Sequence, residues 1–127
     1  MIAVDTNVAI YYFSGKETKE VFFLQELFEN CLAVFPPLVI TELLSDPWIS
    51  NKTIDFISSA PQIELKNGFF ERAGRLRAKL LRRGLKARTA DSLIAQSCID
   101  SNVKLLTNDK DFLNFQRYCG LQLVQLK

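Results

Sequence analysis

Along the whole chain, short apolar runs alternate with stretches in which apolar residues recur every three or four positions. The runs Ile2–Val4, Cys31–Phe35, Gln62–Leu65, Val103–Leu106 and Leu121–Gln125 predict strands. The periodic stretches predict helices near Thr6–Phe13, Glu17–Asn30, Pro37–Ser45, Pro47–Ser58, Asn67–Gly84, Thr89–Ser101 and Asp109–Tyr118. Pro37 and Pro47 suit the first turn of a helix, where a missing N–H costs nothing, and Asp46 is placed to cap the second of these helices. Gly84 reads as the stop of the long basic helix. Strand–helix–strand alternation of this kind predicts an α/β fold, a three-layer α/β/α domain with a central parallel sheet of about five strands. The 127 residues make one such domain, with no linker, repeat or biased segment to divide it.

That architecture gives the acidic residues a place. Asp5 follows the apolar run Ile2–Val4, at the carboxyl end of the first strand, and Asp109 comes just past the carboxyl end of Val103–Leu106. In a parallel sheet all such ends open on one edge, where ligands bind. Glu42 lies in the helix after the second strand, among the apolar Ile40, Leu43 and Leu44, so its carboxylate is expected beside a buried stripe. Asp91 falls in the first turn of the helix opened by Thr89, where free N–H groups and the helix dipole favour its ionised form. Each acid also has an ordinary structural use: Asp5 as a helix N-cap, Asp91 as a first-turn acid, Asp109 in turn chemistry. Taken together, acids converging on one end of one sheet call for a cation between them.

Composition narrows the chemistry further. The chain has no histidine, which excludes Ser-His-Asp and Cys-His nucleophilic systems, imidazole general bases and histidine-ligated zinc. Its 3 cysteines, Cys31, Cys98 and Cys119, show no CxxC pairing and point to a reducing, cytoplasmic setting rather than a disulfide framework. No signal peptide is expected ahead of Asp5, and the apolar stretch Leu32–Ile40, broken by Pro36 and Pro37, is too short to span a bilayer. An all-oxygen donor set suits Mg²⁺ or Mn²⁺, ions that polarise a phosphoryl oxygen and activate water.

A net charge of +2 is uninformative, but half of the 16 Lys and Arg lie between Arg72 and Arg88. Phe69, Ala73, Leu76 and Leu80 form the apolar stripe of that helix, and its basic residues lie away from the stripe. Arg82, Arg83, Lys86 and Arg88 close the run three residues before Asp91, and are candidates for contacts to nucleic-acid phosphates.

The segments Asp5-Thr6-Asn7, Thr41-Glu42-Leu43-Leu44, Thr89-Ala90-Asp91-Ser92-Leu93-Ile94-Ala95 and Thr107-Asn108-Asp109-Lys110-Asp111-Phe112, in this order and spacing, resemble those of the PIN-domain ribonucleases. The compact length resembles the VapC-type toxins of prokaryotic toxin–antitoxin pairs. The resemblance implies metal-binding and catalytic roles for Asp5, Glu42, Asp91 and Asp109, with Asp111 a spare acid that could assist or replace Asp109. Thr6 and Thr107 match the hydroxyl residues such proteins place beside the acids. It further implies Mg²⁺ or Mn²⁺ as cofactor, RNA as substrate, hydrolysis leaving a 5′-phosphate and a 3′-hydroxyl, and a cognate antitoxin. A homodimer is expected as well, using apolar residues such as Phe22, Phe23, Phe28 and Trp48.

Two other carboxylate–Mg²⁺ classes do not fit. A receiver domain needs an acid at its third strand end, where Lys66-Asn67-Gly68 stands; a DxD phosphotransferase needs one at the position of Asn7. A catalytically inactive RNA-binding module, or an RNA-processing nuclease without an antitoxin, remains as the alternative use of the same fold.

Overall fold

The computed structural model describes residues 1–127. In chain order the elements are β1 (Ile2–Val4), α1 (Thr6–Phe13), α2 (Lys19–Glu29), β2 (Ala33–Val34), α3 (Pro37–Leu44), α4 (Asn51–Ser59), α5 (Phe69–Arg82), α6 (Thr89–Ser101), β3 (Lys104–Leu106) and α7 (Phe112–Cys119). The sheet is parallel, with strand order β2-β1-β3. Ile2 stands opposite Ala33 on one side and Lys104 on the other. Placing β1 in the centre makes the two connections run in opposite directions across the sheet. Right-handed crossovers then put their helices on opposite faces. Accordingly α1 packs on α2, α5 packs on α6 and α7, and α3 touches both groups through α1 and α6.

The expected five strands become three strands and two single parallel bridges, Phe35 with Gln62 and Leu105 with Leu123. Peptide groups alternate sides along a strand. In the three-residue β3 only Leu105 turns its N–H and C=O to the outer edge; it donates to Gln122 O (2.9 Å) and accepts from Val124 N (3.0 Å). On the other edge Phe35 donates to Pro61 O and accepts from Ile63 N, both at 2.9 Å. Pro36 and Pro37 follow, have no N–H to donate, and end the ladder there. Gln62 and Leu123 therefore occupy the outer positions of the expected sheet without forming strands.

Helix ends follow local chemistry. Thr18 and Ser50 accept hydrogen bonds from Val21 N and Thr53 N and so start α2 and α4. Asn102 takes a left-handed conformation at φ 53° to end α6 and turn the chain into β3. The helix expected from Pro47 begins only at Asn51. Asp46 does not cap it, because its Oδ1 accepts from Trp48 N at 2.9 Å in a local turn that competes with helix.

Ala3, Val4, Leu24, Phe35, Ile57, Leu80, Ile94 and Leu105 are fully or almost fully buried on the two faces of the sheet. Tyr12, Phe13, Phe28 and Phe56 stack edge to face beside Phe35. Phe23 and Phe28, expected at a surface, pack against this core, whereas Phe22 and Trp48 are exposed. No helix is long and apolar enough to cross a membrane.

Phe112 and Phe115, both 0% exposed, anchor α7 and with it the acidic loop that precedes it. Phe112→Ala should cost about 3–5 kcal/mol in urea denaturation. Leu113→Ala, at an exposed neighbouring site, should cost less than about 1 kcal/mol.

Candidate active site

The carboxyl edge of the sheet carries the acids. Asp5 directly follows β1, and its backbone N–H still belongs to the ladder, donating to Leu106 O at 3.0 Å. Its side chain is 4% exposed. Oδ1 accepts from Thr6 N (2.8 Å), which makes Asp5 the N-cap of α1, and Oδ2 accepts from the Thr107 hydroxyl (2.7 Å).

From Asp5 a hydrogen-bonded ladder runs both ways. The Thr6 hydroxyl donates to Glu42 Oε1 at 2.6 Å, fixing α3 against α1. The Thr107 hydroxyl accepts from Asp109 N (3.0 Å), and Asp109 Oδ1 accepts from Asp111 N (2.9 Å). Carboxylate oxygens of Asp91, Asp109 and Asp111 lie within 4.8 Å of one another. Asp91 comes to them from the first turn of α6.

Electrostatics oppose this gathering. Burial is the main cause that pushes Asp5 from 3.8 up to about 6; the bonds from Thr107 and Thr6 pull it back, and Asp91 and Asp109 push it further up. Asp91 is likewise raised to about 6, chiefly by burial and then by Asp109, with Arg88 as the opposing charge. The donors are all carboxylate oxygens that repel one another, which is the donor set Mg²⁺ or Mn²⁺ prefers. The residues fit such an ion.

Glu42 departs from expectation. Its side chain is exposed rather than set beside a buried stripe, because Val39 and Leu43 are the residues of α3 that face the core. Three or four residues separate successive core positions on a helix, and Glu42 falls in the gap between them.

The basic residues are divided among different tasks. Arg72 forms a bidentate pair with Asp100 (2.6 and 3.1 Å), which also accepts from the buried Gln96, and Arg77 Nε donates to Ala87 O at 2.7 Å. These are structural clasps of α5 to α6 and to the segment leading into it. Lys86 Nζ and Arg88 Nη2 reach Asp111 Oδ2 at 3.1 and 3.6 Å. Arg83 lies over the Tyr118 ring, 4.3 Å from its centre. Sequence reasoning missed the contacts of Asp111 with Lys86 and Arg88, which join residues more than twenty positions apart and leave no local signal. A partner groove beside the cleft is expected from the apolar residues of Glu17–Asn30 and Pro37–Ser58; the structure has one of about 480 Å³ between α1, α3 and α4, lined by Ile10, Phe13, Leu43, Trp48 and Ile49, with Glu42 on its wall and α1 in the place expected for Glu17–Asn30.

The model of the PIN domain family matches residues 2–118. Among solved structures, the chain resembles VapBC2 from Rickettsia felis bound to a DNA fragment from their promoter, at 24% identity, TM-score 0.73 and 98% coverage of both chains. It also resembles DNA-bound VapBC from Salmonella typhimurium (18%, TM-score 0.72, 98% of both chains). A third likeness is VapBC-5 of Mycobacterium tuberculosis, a member of the VapBC family of toxin–antitoxin systems (14%, TM-score 0.68, 98% of both chains). These likenesses establish the fold. No curated protein matches the chain.

The raised carboxyl groups set a pH dependence. A carboxyl whose folded value lies above its unfolded value binds its proton more tightly in the native state, so its contribution to stability is greatest below about 4 and is lost as pH rises through about 6. In EDTA, Asp91→Asn should therefore gain on the unsubstituted protein between pH 4 and pH 7, by about 1 kcal/mol after allowance for partial solvation of the side chain. Paired thermal melts across that range read the difference; a constant offset would contradict it.

Proposed function

The chain belongs to the PIN domain family, and on that premise we propose that it is a Mg²⁺- or Mn²⁺-dependent endoribonuclease, the toxin of a toxin–antitoxin pair. The observation that carries the reading is the gathering of Asp5, Asp91, Asp109 and Asp111, with Glu42 tied in through Thr6, at one edge of a parallel sheet in a chain without histidine. Asp5, Glu42, Asp91 and Asp109 would hold the ion, with Asp111 assisting. Bound there, the ion supplies Lewis-acid activation of a phosphodiester and of the attacking water.

The chain's own residues do the positioning. Thr107 holds Asp5 and the Asp109 loop in one arrangement, and Thr6 does the same for Glu42. Lys86 and Arg88, just before α6, reach Asp111, and together with Arg82 and Arg83 at the end of α5 they would contact RNA phosphates. The fold shared with VapBC complexes supports an antitoxin partner. A segment of that partner lying in the groove beside Trp48 would have its end near Glu42, where an arginine could pair with the acids and exclude the cation. The exposed Phe22, Phe70 and Leu113 add apolar surface for a homodimer.

In an RNA cleavage assay with Mn²⁺, Asp5→Asn should lower the rate by at least about 100-fold, and Thr107→Val by about 10- to 100-fold, the loss typical of a residue that orients a metal ligand. Activity retained by Asp5→Asn would exclude the proposed site. Light scattering at micromolar concentration should give twice the 14.5 kDa chain mass; a monomer would remove the homodimer and leave the nuclease reading intact.

A further inference from the structure

Asp111 is the point where the acid cluster and the basic segment meet. One of its oxygens lies with those of Asp91 and Asp109 inside the 4.8 Å cluster. Its Oδ2 also forms the ion pairs of both Lys86 (3.1 Å) and Arg88 (3.6 Å), and Arg88 acts on Asp91 from further away. Neither side of this contact is loose. The Asp111 amide is pinned to Asp109 Oδ1 at 2.9 Å. The segment carrying Lys86 and Arg88 is held by the buried Ala87, whose carbonyl accepts from Arg77 Nε at 2.7 Å. The two cationic side chains themselves are 57% and 61% exposed. Ion pairs that open to solvent are weak and easily exchanged.

We propose that Asp111 is a positioning residue that ties substrate binding to occupancy of the cation site: with no cation in the cluster its carboxylate neutralises Lys86 and Arg88, and with one bound it is drawn to the ion and releases both side chains to a phosphate of the RNA. This deepens the ribonuclease reading and rests on it. The same carboxylate cannot fully compensate two side-chain cations and a divalent ion at once. Substrate and cation therefore favour each other, and by linkage each raises the other's affinity by the same factor. The fixed backbone on both sides leaves only side-chain movement between the two arrangements.

The test uses the full chain and two readouts that need no turnover. Anisotropy of a fluorescein-labelled RNA oligonucleotide in EDTA reports RNA affinity, and Mn²⁺ titration followed by electron paramagnetic resonance reports cation affinity. Asp111→Asn should tighten metal-free RNA binding about three- to tenfold, and steepen its salt dependence by about one to two counterions, because two phosphate-binding cations are freed. The same substitution should weaken Mn²⁺ binding about tenfold. A merely structural Asp111 would not move the two affinities in opposite directions. The pair Lys86→Met/Arg88→Met should tighten Mn²⁺ binding, and that gain should shrink when Asp111→Asn is added. Unchanged or weaker RNA binding by Asp111→Asn overturns the proposal, as does a Mn²⁺ gain that persists in the combined variant. If Asp111→Asn fails to fold, the exposed pair decides alone: tighter Mn²⁺ binding supports the proposal, and unchanged or weaker binding overturns it. Failure of the ribonuclease reading looks different, since the unsubstituted chain would then neither bind Mn²⁺ at the cluster nor cleave RNA.

Discussion

The buried carboxylate of Asp5 is the constraint around which the rest of the cleft is organised. It ends the central strand, caps α1 through Thr6 N and receives the Thr107 hydroxyl, so one side chain fixes the relation of β1, α1 and the loop after β3. Two good hydrogen bonds do not compensate for its desolvation, and its proton is held up to about 6. A group placed in this way gains from a cation nearby, and the neighbours supplied by the fold are further acids.

Elsewhere the polar groups are fully compensated. No buried side-chain nitrogen or oxygen lacks a hydrogen-bond partner, and Asp100, held below its usual range chiefly by the Arg72 hydrogen bonds, completes the clasp between α5 and α6. The raised carboxyl groups thus lie at one edge of the sheet, while the buried residues on its two faces and the clasps hold the scaffold that gathers them. This separation suits a binding site: strain concentrates where a ligand can relieve it, and its supports lie on rigid elements.

The charge distribution follows the same logic. Of the basic run, Arg72 and Arg77 serve α5–α6 packing, whereas Lys86 and Arg88 face the acids through Asp111. A charge run that looks uniform in sequence therefore divides into clasps between packed segments and an exposed outer pair. Burial of the partner group decides which is which: Asp100 in α6 and the buried Ala87 just ahead of that helix are held by packing, and Asp111 lies on the open edge.

Several features were legible in the sequence because they depend on short-range chemistry. The start of α1 follows from the Asp5 cap, the extents of α1 and α6 follow from apolar periodicity, and the α/β alternation places Asp5 and Asp109 past strand ends. Other features depend on what stands opposite. Gln62–Leu65 and Leu121–Gln125 have the composition of strands, yet each finds one outward-facing peptide, so they bridge and go no further. Glu42 has apolar neighbours in sequence, but the orientation of α3 gives Val39 and Leu43 to the core and leaves Glu42 to Thr6. The union of Asp111 with Lys86 and Arg88 joins the loop after β3 to the turn before α6, and the packing of α5 against α6 and α7 brings those segments together. Sequence by itself determined the helices, the three strands of the ladder and the acids that follow β1 and β3, because those follow from backbone propensity and periodicity within a few residues. Tertiary structure alone decided which of those acids share one space and which cations reach them, because Coulomb interactions and desolvation depend on distance through space rather than along the chain.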